Sequence, residues 1–135
     1  MKEKYPVEIS CPKCGAAITF DMWTHVDSDL NVEETYEITS GTFFRHVCPC
    51  CGKGINIYHS LGFIDPRTGT IINYIQTDET AEEKAERARN INEFFASEDS
   101  NIKSEVVFTP EEFIDHVRRV RFSYTQLPES RLAAI

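Results

Sequence analysis

Apolar and polar residues alternate along the first third of the chain, and the period changes further on. Val7-Glu8-Ile9 alternates as a short strand. Ile18, Phe20 and Met22 fall on one face of the next stretch, with Val26 two steps beyond, while Thr19, Asp21, Trp23 and His25 fall on the other. That period of two predicts a half-buried antiparallel strand. Asp27-Ser28-Asp29 ends it with turn chemistry. Residues 32–40 are acidic and poor in turn formers, and Gly41 follows, which predicts a short helix with glycine as its stop.

Thr42 to Val47 then predicts a strand, and Ile55 to His59 a second one. Asp65-Pro66-Arg67-Thr68-Gly69-Thr70 is a turn, because Pro sets φ and Gly supplies positive φ. Ile71 to Gln76 returns as a partner strand, so residues 54–76 are expected to form a hairpin. From Glu79 to Phe95 the apolar positions are Ala81, Ala85, Ala88, Ile91 and Phe95, a helical stripe with Glu83 and Arg87 as an i,i+4 pair. Residues 97–101 are a polar loop, and Val106 to Phe108 a short strand. Thr109-Pro110-Glu111-Glu112 starts a helix: a cap, Pro at the first position, and Glu three residues after the cap. Phe113, Val117, Val120 and Tyr124 follow on one face, and Pro128 is expected to end or kink it.

Two cysteine knuckles interrupt the strand-like part: Cys11-Pro12-Lys13-Cys14-Gly15 and Cys48-Pro49-Cys50-Cys51-Gly52. Two residues between cysteines let both sulfurs reach one ion from a tight turn, where backbone N–H groups stabilise thiolates. Pro stiffens such a turn, and Gly permits a left-handed backbone. Cys11, Cys14, Cys48 and Cys51 are therefore candidate ligands of one structural zinc ion, with no position left open for water. The 33 residues between the pairs exceed the ~15–20 of an ordinary ribbon. The longer loop costs only ~0.6 kcal/mol per doubling. Thiol–disulfide chemistry is the rival reading, but neither knuckle is followed by the helical pattern of a redox βα unit.

Composition narrows the classes. Fourteen Lys+Arg against 22 Asp+Glu give a net charge of −8, and a zinc-loaded site would take this to about −10. Nucleic acids and acidic membrane surfaces favour the opposite sign. The start shows no apolar run of a signal peptide, and no stretch approaches a membrane span of ~20 apolar residues. C-x2-C pairs and an odd count of 5 cysteines point to a reducing, cytoplasmic setting.

Other residues carry weaker chemistry. Cys50 is the leftover, either a turn residue or a reactive thiol. His46 lies two residues before Cys48, and His25, His59 and His116 are scattered. Asp27, Asp29, Glu33, Glu34 and Glu37 form an acidic cluster that reads as a solvated face or as a contact for a basic partner. Trp23 lies opposite the Ile18 face, so that strand is covered on both sides by helices or by a partner. Arg118, Arg119 and Arg121 are the local basic exception.

The two C-P-x-C motifs, Cys11-Pro12-Lys13-Cys14 and Cys48-Pro49-Cys50-Cys51, with their strands and the late helix at Thr109, resemble the CpXC family of bacteria and archaea, which has no agreed activity. The resemblance spans roughly residues 5–135. It implies the metal site at Cys11, Cys14, Cys48 and Cys51 and implies no catalytic residue. The expected fold is α+β: a zinc-ribbon-like antiparallel sheet over 1–77 and two helices over 78–135 packed on it, as one domain. The first functional expectation is a zinc-stabilised protein-interaction or adaptor module, with Glu33, Glu34, Glu37 and Trp23 as candidate contacts. A small enzyme with a cleft near Cys50, His46 and His59 is the alternative, and nucleic-acid binding through Arg118–Arg121 stands third. The Ala81–Phe95 stripe also suits a homodimer.

Overall fold

The computed structural model describes residues 3–133, with side chains described through Arg121. Its described elements, in chain order, are β1 (Lys4–Ser10), β2 (Ala17–Trp23), β3 (His25–Asp27), α1 (Val32–Ser40), β4 (Arg45–Val47), β5 (Gly54–Asn56), β6 (Leu61–Asp65), β7 (Thr70–Tyr74), α2 (Ala81–Glu98), β8 (Lys103–Val107) and α3 (Pro110–Ala133). The architecture is α+β, with antiparallel and mixed sheets. No described helix is long and apolar enough to cross a membrane.

Two small antiparallel ribbons carry the knuckles. β1 pairs with β2, with Ile9 opposite Ile18 and Ser10 opposite Ala17. β4 pairs with β5, with Val47 opposite Gly54. A separate four-stranded sheet has the order β3-β6-β7-β8. Its central pair, β6 and β7, is antiparallel, while β3 runs parallel to β6 and β8 parallel to β7.

The sequence expectation of one antiparallel sheet carrying both helices therefore changes. The alternating run through Val26 is two strands, and Thr24 hands the chain from one sheet to the next: its N–H donates to the Glu3 carbonyl (2.7 Å), and its own carbonyl accepts from Gly62 (3.0 Å). The expected hairpin over 54–76 is shorter, β6 with β7, because β5 turns back onto β4. Of Thr42 to Val47 only the last three residues are strand. Phe43 and Phe44 are buried in the turn before it.

Helix ends follow their chemistry. α1 stops at Gly41 in left-handed backbone, with Thr42 N–H donating to the Glu37 carbonyl (2.9 Å). Thr80 caps α2 through a complete capping box with Glu83. Glu83 is thus spent on the cap, and Arg87 instead meets Glu79 through two bonds of 2.7 and 2.9 Å. Thr109 accepts from the Glu112 N–H at 3.1 Å at the start of α3. The α3 backbone continues through Pro128 rather than ending there; proline removes one donor but holds a helical φ. Tyr124 lies outside the described side chains.

The principal core lies between α3, α1 and one face of the four-stranded sheet: Val26, Ile38, Leu61, Phe63, Ile72, Tyr74, Val107, Phe113 and Val117, closed by Phe43 and Phe44. α2 packs on β8 but has no buried residue. A second, smaller cluster joins Cys11, Ile18 and Cys48, with Ile9, Ala16 and Ile55 against it.

Candidate metal centre

The two knuckles repeat one backbone pattern. Cys11 N–H donates to the Ala16 carbonyl (2.8 Å), and Gly15 N–H to the Cys11 carbonyl (2.9 Å). Cys48 N–H donates to the Lys53 carbonyl (2.9 Å), and Gly52 N–H to the Cys48 carbonyl (2.9 Å). Gly15 and Gly52 adopt φ of 78° and 74°, a region that costs an L side chain about 1–2 kcal/mol. This is why glycine follows the second cysteine of each motif.

That geometry aims four sulfurs at one point. Cys11 Sγ lies 3.8 Å from Cys51 Sγ, and Cys14 Sγ lies 3.6 Å from Cys48 Sγ. All four lie within 4.8 Å of one another. No disulfide links them, and a covalent S–S bond would need about 2.05 Å. Four sulfurs around an ion at about 2.3 Å would stand about 3.8 Å apart in a regular tetrahedron, so the donor set fits a metal. Cys11 and Cys48 are buried, and Cys14 and Cys51 face solvent.

The protonation pattern points the same way. The backbone N–H groups of Cys14 and Lys13 stabilise the Cys11 thiolate and bring its pKa down to about 6, against the opposing effect of burial. Cys48 is lowered too, chiefly by the N–H of Cys51. At Cys14 the Ala16 N–H favours the thiolate, but burial and the neighbouring sulfurs of Cys48, Cys11 and Cys51 outweigh it and push the pKa up to about 12. Backbone N–H groups thus favour thiolates at Cys11 and Cys48, while the crowding of four sulfurs disfavours one at Cys14. A cation would remove the mutual repulsion behind that disfavour.

The remaining candidates are dispersed. Cys50 is exposed and outside the four-sulfur group. His46 stacks on Phe20, with ring centroids 4.2 Å apart, and so ties the two ribbons together. His59 packs edge-on against Phe44, His25 Nδ1 lies 3.1 Å from Thr24 Oγ1, and His116 Nδ1 lies 3.1 Å from Glu105 Oε2. Neither of the two clefts described on the surface is lined by Cys50, His46 or His59. Trp23 is half-buried against the main core, and the Lys4 ammonium sits 4.9 Å over its ring.

Asp27 Oδ1 accepts from the N–H groups of Asp29 and Leu30, and Asp29 pairs with Arg67 at 3.2 Å. Glu33 and Glu34 occupy the first turn of α1, where the helix dipole favours them. Burial, followed by repulsion from Glu34 and Glu33, raises the pKa of Glu37. The arginines are engaged within the molecule: Arg118 Nε donates to the Thr39 carbonyl (2.7 Å), exposed Arg119 pairs with Asp115 one turn earlier on the same helix, and Arg121 lies 3.9 Å from Asp65.

Fold and site together define an α+β protein whose four cysteines are placed to bind a metal. A model of the CpXC protein family matches residues 9–127, and the chain belongs to that family. No curated protein and no solved structure matches it.

Proposed function

We propose that the chain is a zinc-stabilised interaction module in which Cys11, Cys14, Cys48 and Cys51 hold one structural zinc ion. The carrying observation is the mutual spacing of the four sulfurs at the tips of two matched ribbons. An all-sulfur tetrahedral set favours zinc or iron–sulfur chemistry. The knuckle-and-ribbon pairing supports a zinc-ribbon reading. With four protein ligands, the ion would supply a cross-link between the two ribbons and no open coordination position. Reduced thiols of this kind suit the cytoplasm.

The surface best suited to a protein partner is α1 and its approach. Leu30, Val32 and Tyr36 are large apolar residues 74%, 65% and 71% exposed. Val32 and Tyr36 are one helical turn apart, beside the matching pair Glu33 and Glu37. An apolar stripe edged by carboxylates recommends a basic, partly apolar partner segment.

Elemental analysis of protein purified under reducing conditions tests the zinc reading: about one zinc per chain is expected, and its loss in a Cys11→Ser, Cys48→Ser double variant. Iron, or no metal at all, overturns it. For the partner surface, tagged wild-type protein and a Leu30→Asp, Tyr36→Asp variant with equal zinc content are compared for co-purifying proteins. Identical sets overturn the α1 assignment.

A further inference from the structure

The face of the four-stranded sheet beneath α3 changes character along its length. Strand register arranges its inward positions in cross-strand rows. One row is Leu61, Tyr74 and Val107, all buried and apolar, with Phe113 and Val117 of α3 in the same core. The next is Phe63, Ile72 and Glu105. The last is Asp65, Thr70 and Lys103, polar throughout. Inward positions under a helix are ordinarily apolar, so this end of the face departs from packing logic.

The polar row is built as a framework. Asp65, fully buried, accepts from Ser28 Oγ at 2.5 Å and Thr68 Oγ1 at 2.6 Å, and Arg121 lies 3.9 Å away. Thr70 Oγ1 is 2.8 Å from Thr68 Oγ1. Since the one Thr68 hydrogen goes to Asp65, Thr70 donates in that contact. Above this floor α3 and the sheet leave a cleft of about 250 Å³, lined by Thr68, Thr70, Lys103, Glu105, His116, Arg119 and Val120. Glu105 holds His116 in place across it. Lys103 has no ion-pair partner among the described residues. With Lys103 and Arg119 against Glu105, the lining is net positive on a chain of net charge −8. Asp115 reaches the cleft only through its pair with Arg119.

We propose that this cleft binds a small oxyanion, a phosphate or carboxylate group, with Lys103 and Arg119 supplying the charge and the Glu105-held His116 forming the polar wall. Its volume lies below the ~300–1,000 Å³ of pockets for drug-sized ligands, which restricts it to a compact ligand or headgroup. The site is separate from the cysteine cluster and needs no metal.

Amide NMR titrations of the metal-loaded protein with inorganic phosphate and, separately, acetate, at constant ionic strength, test it. The expected result is saturable shifts at Thr70, Lys103, Glu105 and His116 below about 10 mM of at least one anion. Lys103→Glu and Arg119→Glu should each weaken that binding about tenfold or more, while the exposed helix variant Arg89→Glu leaves it unchanged. Response to phosphate alone assigns a phosphate ligand, and response to acetate alone a carboxylate. No saturable shift with either anion, or equal affinity in Lys103→Glu and wild type, overturns the proposal. Lys103 and Arg119 have exposed side chains, so folding of these variants is checked directly by their amide spectra.

Discussion

His59 Nδ1 donates to the Ser60 carbonyl at 3.0 Å, while its ring lies 5.4 Å from Phe44 and 6.5 Å from Phe43 between centroids. Burial disfavours the imidazolium more than that carbonyl favours it, so the pKa falls below the ordinary 6.5. The unfolded chain then takes up a proton at a pH where the folded chain does not. This contribution to stability is full above pH 6.5 and is lost as pH falls through the folded value. His46 is lowered as well, by burial and by His59. Replacing His59 with Gln should therefore reduce, without abolishing, the drop in denaturant midpoint between about pH 7.5 and pH 5.5. The comparison is made with chelator in both samples, so that metal release does not contribute. Equal drops in the two proteins would refute the burial argument. The sequence marks His59 as a scattered histidine and a candidate for a cleft near Cys50 and His46, not as a packed one, because the rings against it come from a turn about fifteen residues upstream. The cysteines are the opposite case: spacing, Pro and Gly are all local, and they are legible without the fold.

At the scale of elements, both later helices carry Thr-x-x-Glu starts, yet their packing differs. Thr80 and Glu83 close a full capping box on α2, none of whose residues is buried. Thr109 accepts from Glu112 on α3, which delivers Phe113 and Val117 to the core at 0% exposure. Loss of such a cap costs about 1 kcal/mol. In Thr80→Ala that loss should appear as faster amide exchange along the first turns of α2 with little change in global unfolding. In Thr109→Ala it should lower the global midpoint, because α3 unfolds only with the core. Hydrogen exchange and denaturation on both variants check this; equal global effects would contradict it. The helices were readable because the Thr109 cap, the apolar stripes and the Gly41 stop are encoded within a few residues; the Thr80 cap was not, because Glu83 suits a pair with Arg87 equally well on sequence grounds. Strand partners were not. Alternation shows that Val26 and Ile55 face inward, but not that one joins a parallel pair and the other a ribbon. The cleft's signal was present in Lys103-Ser104-Glu105-Val106-Val107, where charged residues alternate in phase with a core residue. Recognising it needs the knowledge that this face lies under α3.

The whole molecule has two centres of cohesion of unequal kind. Among the described residues, the main cluster buries eleven between α1, α3 and the four-stranded sheet. The ribbon cluster buries three, and two of those are Cys11 and Cys48 themselves. Two-stranded ribbons have little stability alone, and His46 on Phe20 is a modest tie. Beyond the packing of Trp23 on the main core, a metal at the cysteine cluster is the expected source of order in β1, β2, β4 and β5, while β3, β6, β7, β8 and α3 stand on apolar burial. Metal binding contributes folding free energy where the site is absent from the unfolded chain, so its removal should act regionally. Chelation under reducing conditions is expected to collapse amide protection in residues 4–23 and 45–56, while protection at Phe63, Ile72, Tyr74, Phe113 and Val117 persists. Hydrogen exchange resolved by residue distinguishes the outcomes. Loss of protection everywhere would mean that the two centres fold as one cooperative unit. Unchanged protection in the ribbons would mean that their hydrogen bonds and Ile18 suffice without an ion, leaving the sulfur cluster with no structural role. The division into centres rests on which side chains are buried together, and that pattern predicts partial, not global, unfolding.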